Sequence, residues 1–231
     1  GPSSATPGWF ARDAAIFARV PEAMLGEPIP EALPERLLIA VDAFGFADAE
    51  GAEALRPLVG HLARLIGQAR EETMAPQGLS VWGRAQRTLQ PVEALATFRD
   101  WFDRHNPPMA FSVARGMALA SLIPESERQW AALMRREAAA RLRHLLPAGT
   151  ILCLPTTPVV APLRGRAASE LDEIRTRILC LCAHGGLAGC PQVSIPGALA
   201  GGLPVGLSIV GGPGTDAVLA GVALALEQTS P

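Results

Sequence analysis

The chain has 231 residues, 49% of them hydrophobic and 18% charged, with a net charge of −2. That is length enough for a sizeable core. The near-neutral balance argues against a nucleic-acid or anionic-membrane partner, and no tract reaches the roughly 18 consecutive apolar residues that a membrane span needs.

All 20 basic residues are Arg, and the sequence holds no Lys and no Tyr. A step that needs a lysine amine therefore cannot run on these residues alone. The opening "GPSSATPGWFARD" lacks the basic-then-apolar order of a signal peptide, so a cytoplasmic location is expected. Cys153, Cys180, Cys182 and Cys190 form no C-x-x-C pair and read as buried reduced thiols. His61, His105, His144 and His184 are scattered, with no i, i+4 pair, and imply no zinc site.

In chain order, residues 9–25 read as a helix with Ile16, Phe17 and Val20 on one face, Asp13 in its first turns and Pro21 near its end. "RLLIAVD", 36–42, suits a buried strand. Residues 50–70 carry helical spacing in Leu55, Leu58, Val59, Leu62, Leu65 and Ile66. "LSVW", 79–82, reads as a second strand. Residues 91–102 are helical again and "NPP" at 106–108 breaks them. Residues 124–146 form the clearest amphipathic helix, with Trp130, Leu133, Met134, Ala138 and Leu142 in one stripe. Pro147 and Gly149 stop it, and "TILCL", 150–154, follows as a buried strand.

After the loop "PTTPVVAP", Ser169-x-x-Asp172 has the form of a capping box for a helix with Leu171, Ile174, Ile178 and Leu181 inward. Cys180 and Cys182 would then point to different faces. "VSI" (193–195) and "VGLSIV" (205–210) read as two antiparallel strands joined by "GALAGG". Thr215 is placed to cap a last helix over 216–227. The order predicts an α/β fold: a mixed β-sheet core flanked by helices, ending in a β-hairpin and a C-terminal helix, as a single domain over residues 1–231.

Three motifs invite chemistry. "GPGTDA", 212–217, matches G-x-G-x-x-A, but too few residues follow for a dinucleotide unit, so a tight strand-to-helix turn is the better reading and no cofactor is expected. No G-x-S-x-G elbow exists, and Ser194 and Ser208, inside strands, read as structural. His184 and Cys190 flank "GGLAG", which allows either a Cys–His pair or a packed turn with a buried thiol.

A resemblance goes further. "LCLPTTPVVAP" (152–162) and "GLAGCPQVSIPGALAGGLPVGLSIVGGPGTDAVLAGVALALE" resemble the C-terminal part of the amidase signature family, serine hydrolases with a Ser–cis-Ser–Lys triad. "PSSATPGWFARD" (2–13) is similar to the segment after the nucleophile region in members that act on indoleacetamide and related small amides, and "RTRILCLCAHGGLAGCPQVSIP" fits the same members. Ala5 stands where that pattern usually has Asp, and residues 41–128 are weakly patterned.

The resemblance implies hydrolysis of a small amide to acid and ammonia. It also implies that the chemistry lies outside this sequence, which has neither the Lys nor a Gly-Gly-Ser-Ser-Gly run; Ser3 and Ser4 fall after the nucleophile's place. No catalytic residue carries over, and the chain alone is expected to be inactive. It reads as a fragment, one product of a split gene, or a truncated paralogue. The alternative is a non-catalytic binding or interaction domain derived from an amidase. As pocket wall at strand ends, the substrate-binding candidates are Thr156, Thr157, His184, Cys190 and Gln192. The partners implied are the amide and a separate N-terminal half carrying the triad; an uncovered sheet edge also makes self-association expected.

Overall fold

The computed structural model describes Ser3 and residues 6–229. The Ala5 departure and Ser4 lie outside the described residues. The elements run α1 (Ala14–Leu25), β1 (Arg36–Ala40), α2 (Val41–Phe46), α3 (Ala49–Ile66), β2 (Gln68–Glu72), α4 (Leu79–His105), α5 (Phe111–Ser121), α6 (Glu125–Leu145), β3 (Thr150–Pro155), α7 (Ala168–Ala188), β4 (Gln192–Ala200), β5 (Leu203–Val210) and α8 (Asp216–Gln228).

The strands make one mixed sheet in the order β2-β1-β3-β5-β4. β1 pairs parallel with β2 and β3, and β5 pairs antiparallel with β3 and β4. Alternation then divides the side chains into two layers. Leu38, Leu152, Leu154 and Val210 meet Trp82 of α4, Leu142 of α6 and Leu181 of α7 on one face. Leu37, Ile151, Leu207 and Ile209 meet Leu55 and Leu62 of α3 and Leu219 and Val222 of α8 on the other. No helix of the described residues is long and apolar enough to cross a membrane.

The hairpin forms as expected, but its loop is shorter. Strand pairing continues to Ala200 and Leu203, leaving a two-residue turn of Gly201 and Gly202. Both have positive φ, 55° and 78°, the demand of the twisted two-residue hairpin turn and the reason two glycines stand there. Asp13 caps α1, accepting from Ile16 N–H at 2.7 Å, so the helix begins at Ala14 rather than at residue 9.

Several expectations change. Residues 79–82 are not a strand but the first turn of α4, which runs through Pro91 to His105. Leu79, Trp82 and Ala85 are buried at helical spacing, and a four-residue apolar run does not by itself distinguish the two periods. The helix expected over 50–70 ends at Ile66; Gly67, at φ 91°, turns the chain into β2. That strand, "QAREE", is exposed along most of its length and carries no apolar signal. Ser169 and Asp172 form no capping box: α7 starts at Ala168 and its N-cap makes no side-chain bond, while Asp172 accepts from Arg175. Thr215 does not cap α8 either; its hydroxyl donates to the Gly212 carbonyl at 2.7 Å. No sequence pattern described above marks helices α2 and α5.

Helices α4 and α7 approach so closely at Gly83 that a Cβ there would lie 2.6 Å from Cys180 Sγ and 2.8 Å from its Cα. Backbone cannot yield as a flexible side chain can. Gly83→Ala is expected to destabilise the chain by about 1–3 kcal/mol or more; an unchanged midpoint in urea unfolding would show that the two helices are free to separate.

Candidate functional site

The open end of the sheet carries a row of polar side chains. Ser194 of β4 lies opposite Ser208 of β5, which lies opposite Leu154 of β3. Paired residues share a face, so both hydroxyls and Gln192, two residues from Ser194, stand on the side covered by α7. Thr156 directly follows β3, held to the ladder by its N–H donating to Gly206 C=O at 2.8 Å. His184 reaches down from α7.

The contacts are continuous. His184 Nδ1 lies 3.0 Å from the Leu181 carbonyl, one turn back on its own helix, and Nε2 lies 2.9 Å from Gln192 Oε1. Gln192 Nε2 lies 2.6 Å from Ser208 Oγ. Ser208 Oγ is 2.9 Å from Thr156 Oγ1, which is 2.8 Å from Ser194 Oγ. Buried and exposed members alternate along the row: His184 and Ser208 are 0% exposed, whereas Gln192 between them and Ser194 at the end are exposed.

Gly206 makes the space. A Cβ on it would lie 2.9 Å from both Ser194 Oγ and Thr156 Oγ1. On the opposite face of the sheet at the β4 edge, a cavity of about 240 Å³ lies among Val193 and Ile195, Leu58 of α3, Arg12, Asp13 and Phe17 of the N-terminal region, and Glu227 of α8. Among the described residues no cluster of three His, Cys, Asp or Glu side chains is placed to hold a metal.

Of the five candidate residues, three come together: Thr156, His184 and Gln192. Thr157 is outside the row, its hydroxyl donating to the Val159 carbonyl at 2.8 Å. Cys190 is buried in the turn before β4, and burial pushes its thiol up to about 11. Both His184 nitrogens are already engaged by Leu181 and Gln192, so His184 and Cys190 form no nucleophile–base pair; the packed-turn reading holds. Ser194 and Ser208 complete the row, although from sequence alone their places inside strands read as structural. Gln192-x-Ser194 at strand spacing was the available signal, but its partners on β5 and α7 needed the register.

Electrostatics at the row follow from burial. Exclusion from water holds His184 below the ordinary histidine value of 6.5, against the opposing effect of its two hydrogen bonds. On another face, Ser3 donates its hydroxyl to Glu93, which also accepts from Arg135 at 2.9 Å. Burial there pulls the Glu93 carboxyl up, but the bonds from Ser3 and Arg135 outweigh it and the net shift is downward.

Because the unfolded chain takes a proton at His184 near pH 6.5 and the folded chain resists it, stability is full above that pH. It is lost as pH falls below it, by at most about 1.4 kcal/mol per unit for one proton. Thermal melting across this range should show the decline, and His184→Gln should flatten it; parallel profiles would remove His184 from the effect.

A second outcome concerns the thiols. Burial raises Cys153 to about 12 and Cys190 to about 11. Neither should be alkylated in the folded chain at neutral pH, while urea should expose all four cysteines. Rapid labelling of native Cys190 would reinstate a thiol nucleophile.

No family model matches the chain. It is 29% identical to Amidase 1 of Oryza sativa subsp. japonica over 97% of its own length and 58% of that protein's. A crystal structure of an amidase superposes on it with TM-score 0.76 at 22% identity, covering 96% of this chain and 52% of the other. A bacterial aryl acylamidase belonging to the amidase signature enzymes family gives TM-score 0.65 at 16% identity, over 86% and 44%. The chain thus spans about half the length of the proteins it matches.

Proposed function

From the premise that this chain belongs to the amidase signature family, we propose that it is the non-nucleophilic portion of an enzyme that hydrolyses a small carboxylic amide to acid and ammonia. The row from His184 to Ser194, neutral throughout and reaching the exposed β4 edge, is the observation that carries this reading. It supplies a polar wall without a competing nucleophile.

With no Lys in the sequence, the nucleophilic Ser and its proton acceptor belong to a second portion. There, Ser attack on the amide carbonyl forms the acyl-enzyme and releases ammonia, and water then frees the acid. In this division of labour Thr156, Ser194 and Gln192 hold the amide against the sheet, while Ser208 and His184 hold Thr156 and Gln192 in place.

The β4 edge supports the partner. Among the described residues β4 has one strand neighbour, β5. In an antiparallel ladder the N–H and C=O of one residue point to the same side. Gly206 C=O binds Thr156 of the β3 side, and Gly211 N–H binds Pro191 C=O. Pro191, Val193 and Ile195 therefore turn their backbone toward β5, and Gln192, Ser194 and Pro196 turn theirs outward. Pro196 has no N–H, so a strand added here would be held mainly at Gln192 and Ser194. Exposed Phe98, Trp101 and Phe111 on α4 and α5, with Leu122 just after α5, give a partner further apolar surface to cover.

The purified chain should show no turnover of aryl- or indole-acetamides above buffer, and light scattering should find it self-associated. Co-expression with a second portion carrying the Gly/Ser-rich core and its Lys should give a stoichiometric, active complex. Turnover by the lone chain that vanishes in Cys190→Ala would overturn the assignment, as would a well-formed complex with no amide hydrolysis.

A further inference from the structure

The cavity on the α3 and α8 side of the β4 edge has apolar walls. Phe17 of α1, Leu58 of α3, Val193 and Ile195 of β4, and Ala223 and Leu226 of α8 form them. Its volume is about 240 Å³. An apolar cavity of roughly 150 Å³ is room enough for benzene, so a phenyl ring fits here. The rim carries Arg12, Asp13 and Glu227. It is fixed before anything binds: Asp13 accepts from Ile16 N–H at 2.7 Å, and Glu227 accepts from Ala14 N–H at 3.2 Å. A pre-formed rim spares the ordering cost of binding.

The segment that enters α1 has the exposure pattern of an extended chain. Trp9, Ala11 and Asp13 are half-buried, and Phe10 and Arg12 between them are exposed. The Trp9 ring rests against Phe17, with centroids 5.4 Å apart. Phe10 is turned the other way. Its ring stands fully exposed, one residue from Ala11 of the cavity wall. A ring in that position leaves roughly 150–250 Å² of apolar surface in water. Arg12 shares the outward side, with its side chain 83% exposed.

We infer that the chain pairs with a second copy of itself about a two-fold axis, Phe10 of each copy entering the cavity of the other. A two-fold contact needs both halves of the complement close together on one surface. Phe10 and the cavity meet that need, and no other element has to move. Charge agrees with shape. Arg12 follows Phe10 toward the other copy, whose rim holds two carboxylates, Asp13 and Glu227. Two rings and the holes they fill cover several hundred Å², short of the roughly 1,200 Å² of a standard interface, so the dimer is weak and reversible. The inference goes beyond the amidase reading and does not rest on it.

Sedimentation equilibrium of the 231-residue chain should fit a monomer–dimer equilibrium. Phe10→Ala, a change at the surface, should weaken it roughly a hundredfold, about tenfold for each ring withdrawn. Ala14→Phe, which adds a ring to the cavity from its own wall, should weaken it similarly. An equimolar mixture of the two variants should pair more tightly than either alone, because one ring still meets one open cavity. With benzoylphenylalanine at position 10 and a mixture of ¹⁴N- and ¹⁵N-labelled chains, light should cross-link one copy to residues 193–197 or 223–227 of the other.

A chain that stays monomeric at every concentration overturns the inference, as does an unchanged equilibrium in Phe10→Ala. Cross-links confined to single copies would show Phe10 closing its own cavity and overturn it equally. So would cross-links to any other region of the second copy. If Ala14→Phe does not fold, Phe10→Ala and the cross-link decide between these outcomes.

Discussion

Ser208 is a hydroxyl in the middle strand pair of a sheet, with no access to water. A buried hydroxyl left unbonded costs about 1–3 kcal/mol. Everything polar at the open end of the sheet answers that constraint. Gln192 and Thr156 reach Ser208 from the two flanking strands, and each must then satisfy its own remaining atoms. Gln192 does so at His184, and His184 at a carbonyl of its own helix. Gly206 leaves the volume in which Thr156 and Ser194 meet. One buried group thereby orders side chains from three strands and a helix into a single row.

The hairpin brings the row to the edge. Two glycines at positive φ close a turn tight enough to keep β4 and β5 in antiparallel register, and that register sets Ser194 against Ser208. A slip of β4 by one residue would set Ser194 opposite Leu207 or Ile209 and send its hydroxyl into the apolar layer beneath α3 and α8, leaving Ser208 behind. The irregularity between Pro196 and Ala198 lets the strand regain its pairing after Pro196 turns its backbone outward. The same hairpin that buries Ser208 thus leaves Gln192 and Ser194 at an uncovered margin.

On the helical layer, the close approach of α4 to α7 at Gly83 and Cys180 seats α7 over the sheet. That contact sets where His184 can reach. A wider spacing would lift the ring from Gln192 and leave two buried polar groups without partners. The packing of two helices and the order of the row are therefore one requirement, met by residues about a hundred positions apart.

The sequence by itself determined the parts whose signals are local. Strong periodicity marked α3, α6 and the inward face of α7; clustered glycine and proline marked the hairpin and the turn before α8; and the G-L-P pattern pointed to the amidase signature family before any coordinates. Thr156, His184 and Gln192, candidates by their places at strand and helix ends, lie in one hydrogen-bonded row. Tertiary structure decided the rest. β2 is an edge strand of charged and polar residues, recognisable only by its pairing with β1. Residues 79–82 became helix because Trp82 and Ala85 bury on one side of a longer element. Ser194 and Ser208 joined the site because register places them opposite each other, 14 residues apart in the chain. Hydrogen bonds across strands depend on which residues face one another, and that is settled by the summed burial of the whole sheet, which no local pattern contains.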